Sequence, residues 1–178
     1  DLDMHPDVER ILFSEKEIEE RTRELGEEIS AYYDGQDVVV VGLLKGSIPF
    51  MAELVKRISV DIELDFMDVS SYAGKKSTEV KVNKDIACSV SGKKVLIVED
   101  IVDTGKTLKV VKEMFYTKGA DEVKIVTLLD KPEGRLVEIE PDWCGFITPN
   151  EFVIGYGLDY NQKYRNLPYV GVIKPSAI

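Results

Sequence analysis

The segment from Val95 to Leu108, VLIVEDIVDTGKTL, concentrates side chains that can do chemistry. Three carboxylates, a glycine, a lysine and two threonines lie within nine of its residues. The apolar run before Glu99 predicts a buried strand, and the residues after Gly105 predict a helix. Free backbone N–H groups and the helix dipole make the start of such a helix a candidate phosphate site.

The acids of this segment, Glu99, Asp100 and Asp103, stand where the predicted strand ends. In an open α/β sheet, ligands bind beyond the carboxyl ends of the strands. Carboxylates there can accept hydrogen bonds from vicinal sugar hydroxyls, and acids after a buried strand are costly unless they are paired or bind a ligand. The segment therefore predicts a ligand that carries a phosphate beside a sugar diol.

The triplet GKT, which ends at Thr107, raises the alternative of a nucleoside-triphosphate P-loop. That motif is G-x-x-x-x-G-K-[ST], so its first glycine should stand at position 100, which is aspartate. Because an aspartate directed at phosphates would repel them, the pattern disfavours a P-loop.

The flanking segments alternate between strand and helix patterns, which predicts parallel strands in a three-layer α/β fold. Ser14 and Glu17 form a capping-box pattern at the first helix, and Ser47 is a candidate cap of the second. The polar segment 70–85 is predicted to be a long loop or loose hairpin, and such excursions are often functional lids. The predicted strands span 38–44, 60–69, 93–100, 123–130, 151–155 and 169–173, and the predicted helices span 14–35, 50–58 and 106–119.

Composition excludes several classes of function. A chain of 178 residues with a net charge of -10 predicts one globular domain whose main partner is not nucleic acid, because affinity for phosphate backbones comes largely from Lys and Arg. The single histidine, His5, lies near the start, which disfavours histidine catalysis and zinc chemistry. Cys88 and Cys144 match no metal spacing and predict reduced thiols in a cytoplasmic protein. No apolar run approaches the ~20 residues of a membrane helix, and the first ten residues predict no signal peptide.

Several blocks of the sequence resemble one family. Two acids after four apolar residues, followed by DTGxTL, resemble the phosphoribosyl pyrophosphate signature of the type I phosphoribosyltransferases. The blocks LLKGS, VSSY, LLDKP and FVIGYGLDY resemble, in the same order, the hypoxanthine-guanine phosphoribosyltransferases of bacterial type. The resemblance runs from about Val38 to Ile173. It implies one domain over residues 1–178, with a parallel-sheet core at roughly 34–145, a hood from both chain ends and a mobile lid at roughly 70–85.

The resemblance also implies an activity and a set of site residues. The activity is Mg²⁺-dependent transfer of phosphoribosyl from its pyrophosphate to hypoxanthine or guanine, with Asp103 as the general base. Phosphoribosyl binding is expected at Glu99, Asp100, Asp103, Thr104, Gly105, Lys106 and Thr107. Pyrophosphate binding, across an unusual cis peptide, is expected at Lys45 and Gly46, and also at Arg165. The expected purine site is Lys131, Phe152, Val153 and Asp159, the expected Mg²⁺ ligands are Glu99, Asp100 and Asp159, and the expected lid residues are Ser70, Ser71 and Tyr72.

Two alternatives stay open at this point. A lysine donor at position 131 suits the ring oxygen of hypoxanthine and guanine better than the amino group of adenine, but xanthine also carries that oxygen, so a xanthine-preferring enzyme fits as well. An RNA-binding regulator with the same fold would need a basic face, and the sequence has no long basic stretch outside the lid. The resemblance implies a homodimer or homotetramer. One departure is EGR after Lys131-Pro132, where a more basic run is usual, although Arg135 remains.

Overall fold

The computed structural model describes residues 4–71 and 79–178, which form two β-sheets and three α-helices. The strands are β1 (Val8–Phe13), β2 (Val38–Leu43), β3 (Ile62–Ser71), β4 (Val80–Lys84), β5 (Lys94–Val102), β6 (Glu122–Asp130), β7 (Trp143–Ile147), β8 (Val153–Ile154) and β9 (Val170–Ile173). The α-helices are α1 (Glu15–Tyr32), α2 (Ile48–Val55) and α3 (Lys106–Thr117), and short 3-10 turns span Pro132–Gly134 and Pro175–Ala177.

The central sheet has the strand order β4-β3-β2-β5-β6-β7. Every neighbouring pair is parallel except β3 and β4, which are antiparallel. Val41 of β2 lies beside Ile97 of β5, which lies beside Ile125 of β6. This register brings the carboxyl ends of the middle strands to one edge of the sheet.

Helices cover both faces of the central sheet because its middle strands are apolar on both sides. In β2, Val38 and Val40 pack in one cluster with residues of α1 and α2. Val39 and Val41, which point to the opposite face, pack with residues of α3. The three-layer α/β fold predicted from the sequence is therefore confirmed.

A second, smaller sheet is antiparallel and has the order β1-β9-β8. It joins a strand near the start of the chain to two strands near the end, and its own buried cluster is Val8, Ile154, Tyr169 and Ile173. The predicted strands at 151–155 and 169–173 exist, but they belong to this sheet and not to the central one. Strands β1 and β7 were not predicted.

The two helix-cap predictions have opposite outcomes. Ser14 Oγ accepts a hydrogen bond from the Glu17 N–H at 3.2 Å, and the Glu17 carboxylate accepts one from the Ser14 N–H at 3.0 Å, so the capping box is confirmed. The prediction of a Ser47 cap was wrong. Its backbone is already helical, with φ -74° and ψ -12°, and its buried hydroxyl makes no capping hydrogen bond.

At the two ends of the segment 70–85, β3 and β4 pair antiparallel, which agrees with the hairpin alternative of the prediction. Strand β3 continues to Ser71, and Ser70 and Ser71 pair with Lys81 and Val80 of β4. Tyr72, the third predicted lid residue, lies outside the described residues. Within the two described ranges, no helix is long and apolar enough to cross a membrane.

Candidate functional site

The turn from β5 into α3 has the backbone of an anion site. Gly105 precedes the helix with φ 82°, a left-handed conformation that favours glycine. A Cβ built on Gly105 would collide with Ile139, so the position also requires a residue without a side chain. Thr104 Oγ1 accepts the Lys106 N–H at 3.3 Å. The next N–H groups of the first turn have no intrahelical acceptors, which is the backbone feature that favours anions at a helix start. Phosphate binding at Thr104 to Thr107 stays a prediction.

The paired acids near the end of β5 are half-buried, and the charge of Arg165 partly offsets that of Asp100. In the described part of the chain, no salt bridge involves Glu99 or Asp100. Burial and the neighbouring Asp100 raise the pKa of the Glu99 carboxyl well above its usual range, and burial raises the pKa of Asp100. The Asp100 carboxylate lies against Gly46, where an added Cβ would collide with Oδ2. Two half-buried carboxylates that form no salt bridge with a described residue suit a cation or sugar hydroxyls.

The loop after β2 meets a loop near the end of the chain. The peptide bond between Leu44 and Lys45 is cis, as the resemblance implied. Lys45 Nζ and Arg165 Nη2 both donate to Gln162 Oε1, at 3.2 and 3.1 Å. Arg165 Nε is buried and finds no hydrogen-bond partner among the described residues. The side chains of Lys45 and Arg165, two of the predicted pyrophosphate-binding residues, therefore lie together at one shared acceptor.

A cleft of about 210 Å³ lies beside the phosphate loop. Lys131 Nζ donates to the Glu151 carbonyl at 3.3 Å and lies 4.0 Å from Asp103 Oδ2. Phe152 is 46% exposed, so its ring is open to a ligand. The lining residues are Asp100, Ile101, Asp103, Lys131, Glu151, Phe152, Val153, Leu158 and Asp159. All four predicted purine-site residues are among them.

The three predicted Mg²⁺ ligands do not form one cluster. Within the described residues, no group of three or more His, Cys, Asp or Glu side chains is arranged to hold a metal. Asp159 is instead engaged with its own loop: Oδ2 accepts the Gln162 N–H at 2.9 Å, and Oδ1 lies 3.5 Å from Arg165 Nη2. The protein can therefore offer Glu99 and Asp100 as one ligand pair and Asp159 as a separate ligand.

Three residues that contact the site were not predicted from the sequence to belong to it. Gln162 joins the two cations, Gly134 lies against the Asp103 carboxylate, and Arg135 binds the backbone of the phosphate loop. Of the three, only Gly134 gave a sequence signal, because a glycine inside a functional segment often marks a place where another group approaches the backbone closely.

A larger cavity, of about 470 Å³, lies at the opposite edge of the central sheet. It is found at the amino ends of the strands, beside residues such as Val38, Ile62 and Lys94. Ligands of open α/β sheets bind at the carboxyl ends, and the predicted site residues converge there. We therefore place the functional site at the smaller cleft.

Comparison with known proteins gives matches over nearly the whole chain. A family model described as the phosphoribosyl transferase domain matches residues 10–161. The chain is 58% identical to a hypoxanthine-guanine phosphoribosyltransferase of Lactococcus lactis over 170 residues, which cover 94% of this chain and 92% of that protein. It is 52% identical to one from Streptococcus agalactiae, with 94% of each chain covered. A crystal structure of a hypoxanthine phosphoribosyltransferase from Staphylococcus aureus superimposes with a TM-score of 0.95 at 46% identity, covering 98% of this chain and 96% of that one.

Proposed function

The chain belongs to the phosphoribosyl transferase family, among the hypoxanthine-guanine phosphoribosyltransferases, and we propose that it acts in purine salvage. It transfers the phosphoribosyl group of phosphoribosyl pyrophosphate to hypoxanthine or guanine, which gives IMP or GMP and pyrophosphate. The observation that carries this function is the cleft in which Asp103 and Lys131 face each other beside the phosphate loop. Its volume, about 210 Å³, is below that of typical drug-sized sites, about 300–1,000 Å³, and suits a single base.

Asp103 and Lys131 act on different parts of the purine. Asp103 accepts the imidazole proton as the ring nitrogen bonds to the sugar, and a positioned base of this kind contributes about 10²–10⁴-fold to the rate. Lys131 donates to the ring oxygen of hypoxanthine or guanine. Phe152 stacks on the base, and Val153 contacts its edge through the backbone. Because Lys131 only donates hydrogen bonds, the site favours an oxygen over the amino group of adenine.

The departing pyrophosphate leaves from the sugar as an oxocarbenium-like state develops. That state needs a stabilised leaving group and a fixed base rather than a protein nucleophile. The backbone of Lys45 and Gly46 and the side chain of Arg165 bind the pyrophosphate oxygens. A guanidinium can hold two oxygens at once, and the position of Arg165 beside Lys45, through their shared acceptor Gln162, supports this role.

The acids at the end of β5 fit a site for Mg²⁺. Their pKa values are raised and no described residue forms a salt bridge with them, so a cation would relieve their repulsion. When bound, Mg²⁺ neutralises charge on the pyrophosphate. It is usually held by one or two carboxylates together with substrate phosphates, which agrees with Glu99 and Asp100 as one pair and Asp159 as a separate ligand. The same acids also bind the ribose hydroxyls, directly or through the ion.

Three further features remain proposals. Ser70 and Ser71, at the exposed end of β3, belong with Tyr72 to a lid over the reacting centre. The protein works in the cytoplasm, which is supported by the free thiols of Cys88 and Cys144. It assembles as a homodimer or homotetramer.

One assay plate tests the function. The protein, Mg²⁺ and phosphoribosyl pyrophosphate are combined with hypoxanthine, guanine, xanthine, adenine or uracil, and product nucleotide is followed by chromatography. We expect turnover of hypoxanthine and guanine, only a trace with adenine, none with uracil, and a rate about 10²–10⁴-fold lower for Asp103→Asn. Preferred turnover of xanthine would change the substrate assignment. No turnover of any base, with RNA retained in a filter-binding assay at physiological salt, would favour an RNA-binding regulator.

A further inference from the structure

Arg135 is the most fully hydrogen-bonded cation beside the proposed site. Its side chain is only 10% exposed, and all five of its N–H groups have an acceptor. Nε donates to the Ile139 carbonyl at 2.9 Å. Nη1 donates to the carbonyls of Val102 and Asp103 at 3.2 and 3.1 Å, and Nη2 donates to the carboxylates of Asp130 and Glu140 at 2.7 and 3.1 Å. A guanidinium has five donors in a fixed fork, so this one has none left for substrate.

The two carbonyls bound by Nη1 belong to the peptide groups on either side of the Asp103 Cα. Holding both peptide groups fixes the direction in which the Asp103 side chain leaves the backbone. A lysine at position 135 could not do the same, because an ammonium is a point charge on a flexible stem and lacks the planar fork. The geometry therefore depends on arginine itself and not only on its charge.

Asp130 fixes the guanidinium in turn. Its side chain is 7% exposed and forms a buried ion pair with Arg135. The next residue, Lys131, donates its own N–H to the Val102 carbonyl at 2.9 Å. The ion pair thus connects the backbone of the purine-facing lysine to the backbone that carries Asp103.

Gly134 contacts the carboxylate of Asp103, in addition to the contacts that Arg135 makes with the Asp103 backbone. A Cβ built on Gly134 would collide with Asp103 Oδ1, so the carboxylate rests directly on the glycine backbone. The dipeptide Gly134-Arg135 therefore touches Asp103 twice, at its carboxylate and at its main chain.

We propose that Arg135, held by Asp130, is a positioning residue that orients the general base Asp103 toward the purine. This inference rests on the proposed function, and in particular on Asp103 as the base. Arg135 touches no substrate, and its effect on the rate passes through Asp103.

A double-mutant cycle tests the proposal. The rate of IMP formation in a single turnover is measured for the natural protein, Arg135→Lys, Asp103→Asn and the double variant. We expect Arg135→Lys alone to lower the rate by about 10²-fold, the scale of a misplaced catalytic group. In the Asp103→Asn background, the same change should alter the rate by no more than about twofold. Equal effects in the two backgrounds would overturn the proposal, because Arg135 would then act independently of Asp103.

Two controls separate positioning from a general loss of structure. Arg23→Lys changes an arginine that pairs only with Glu20 and Glu27 on its own helix among the described residues, and its rate should be unchanged. Affinity for phosphoribosyl pyrophosphate, measured by calorimetry, should stay within about twofold in Arg135→Lys. A large loss of that affinity with an unchanged single-turnover rate at saturation would overturn the proposal.

A second variant keeps the test decisive if Arg135→Lys does not fold. Asp130→Asn retains an oxygen for the guanidinium but removes the charge, and its effect should also disappear in the Asp103→Asn background. An effect that persists there would count against the proposal. A natural protein that turns over no base would refute the proposed function. An active protein in which the effects of the Arg135 and Asp103 changes are additive would refute only the role of Arg135.

Discussion

Lys131 Nζ lies 4.0 Å from Asp103 Oδ2, and each group projects from a different strand end into one cleft. Asp103 follows β5 and Lys131 follows β6, which are parallel neighbours. The separation leaves the two groups close enough to act on one bicyclic base. A donor for the ring oxygen and an acceptor for the imidazole proton are thus supplied by adjacent strands.

Lys131→Met tests the choice of base. The change removes a charged hydrogen bond to the ring oxygen, which is worth about 1.5–3 kcal/mol. We expect kcat/KM for hypoxanthine and guanine to fall by about 10- to 150-fold, while the trace rate with adenine changes little. The matched control is Lys124→Met at the other end of β6, where the lysine pairs with Asp142. An equal loss with adenine would show that Lys131 does not read the ring oxygen.

Glu99→Gln tests the electrostatics of the acid pair. Burial and Asp100 raise the pKa of Glu99 in the folded chain, above its unfolded value of about 4.3. A carboxyl with a raised folded pKa binds its proton more tightly when folded, so stability is lost as the pH rises from the unfolded pKa through the folded pKa. The amide cannot ionise, so the variant should melt higher than the natural protein at pH 8 and equally at pH 4.

The measurement is thermal unfolding in a chelator, where each 1 kcal/mol gained raises Tm by about 2–4 °C. Glu113→Gln, on the exposed face of α3, is the control and should show no such gain. Adding Mg²⁺ with pyrophosphate should stabilise the natural protein more than Glu99→Gln. A variant that is less stable than the natural protein at pH 8 would contradict the charge repulsion inferred for this pair.

Structural features that depend on residues close together in the chain could be predicted from the sequence. The apolar run before Glu99 predicts β5 itself and places Glu99 and Asp100 near the binding edge, although the strand continues past them to Val102. The capping box of Ser14 and Glu17 is likewise local. Ser47 shows the limit of local patterns, because a serine before a helix caps it only when its backbone is extended, and here it is already helical.

Features made by contacts between distant segments could not be predicted. Arg135 reaches the carbonyls of Val102 and Asp103, 33 and 32 residues earlier, and Gln162 meets Lys45 across 117 residues. Nothing in the sequence near an arginine or glutamine specifies such partners. The small sheet that joins both chain ends was expected only from the family resemblance, which implied a hood, and not from local patterns, because β1 pairs with β9 at the opposite end of the chain.

Gly46→Ala tests the close approach of the loop after β2 to Asp100. The new methyl group would collide with Asp100 Oδ2, so the carboxylate must move away, and such overpacking costs about 1–3 kcal/mol. We expect KM for phosphoribosyl pyrophosphate to rise by about tenfold or more and KM for hypoxanthine to stay unchanged. Gly35→Ala, where the added carbon meets no neighbouring atom, is expected to change neither KM. A parallel rise in both constants after Gly46→Ala would argue against a local effect at Asp100.

Gln162→Asn tests whether one amide oxygen holds the two cations of the pyrophosphate site. Gln162 Oε1 accepts from both Lys45 Nζ and Arg165 Nη2, and its backbone has φ 66°, which asparagine tolerates well. Asparagine therefore keeps the backbone conformation and the amide group, but its side chain is one methylene shorter, so its oxygen lies farther from Lys45 and Arg165.

The expected result is weaker binding of the product. Each hydrogen bond contributes about 0.5–1.5 kcal/mol, so losing the shared acceptor should raise the inhibition constant of pyrophosphate by about 2- to 12-fold. Affinity for IMP should not change, because the purine cleft keeps Lys131 and Phe152. Gln36→Asn, in an exposed turn after α1, is the control. An unchanged inhibition constant in Gln162→Asn would mean that Lys45 and Arg165 reach pyrophosphate without this bridge.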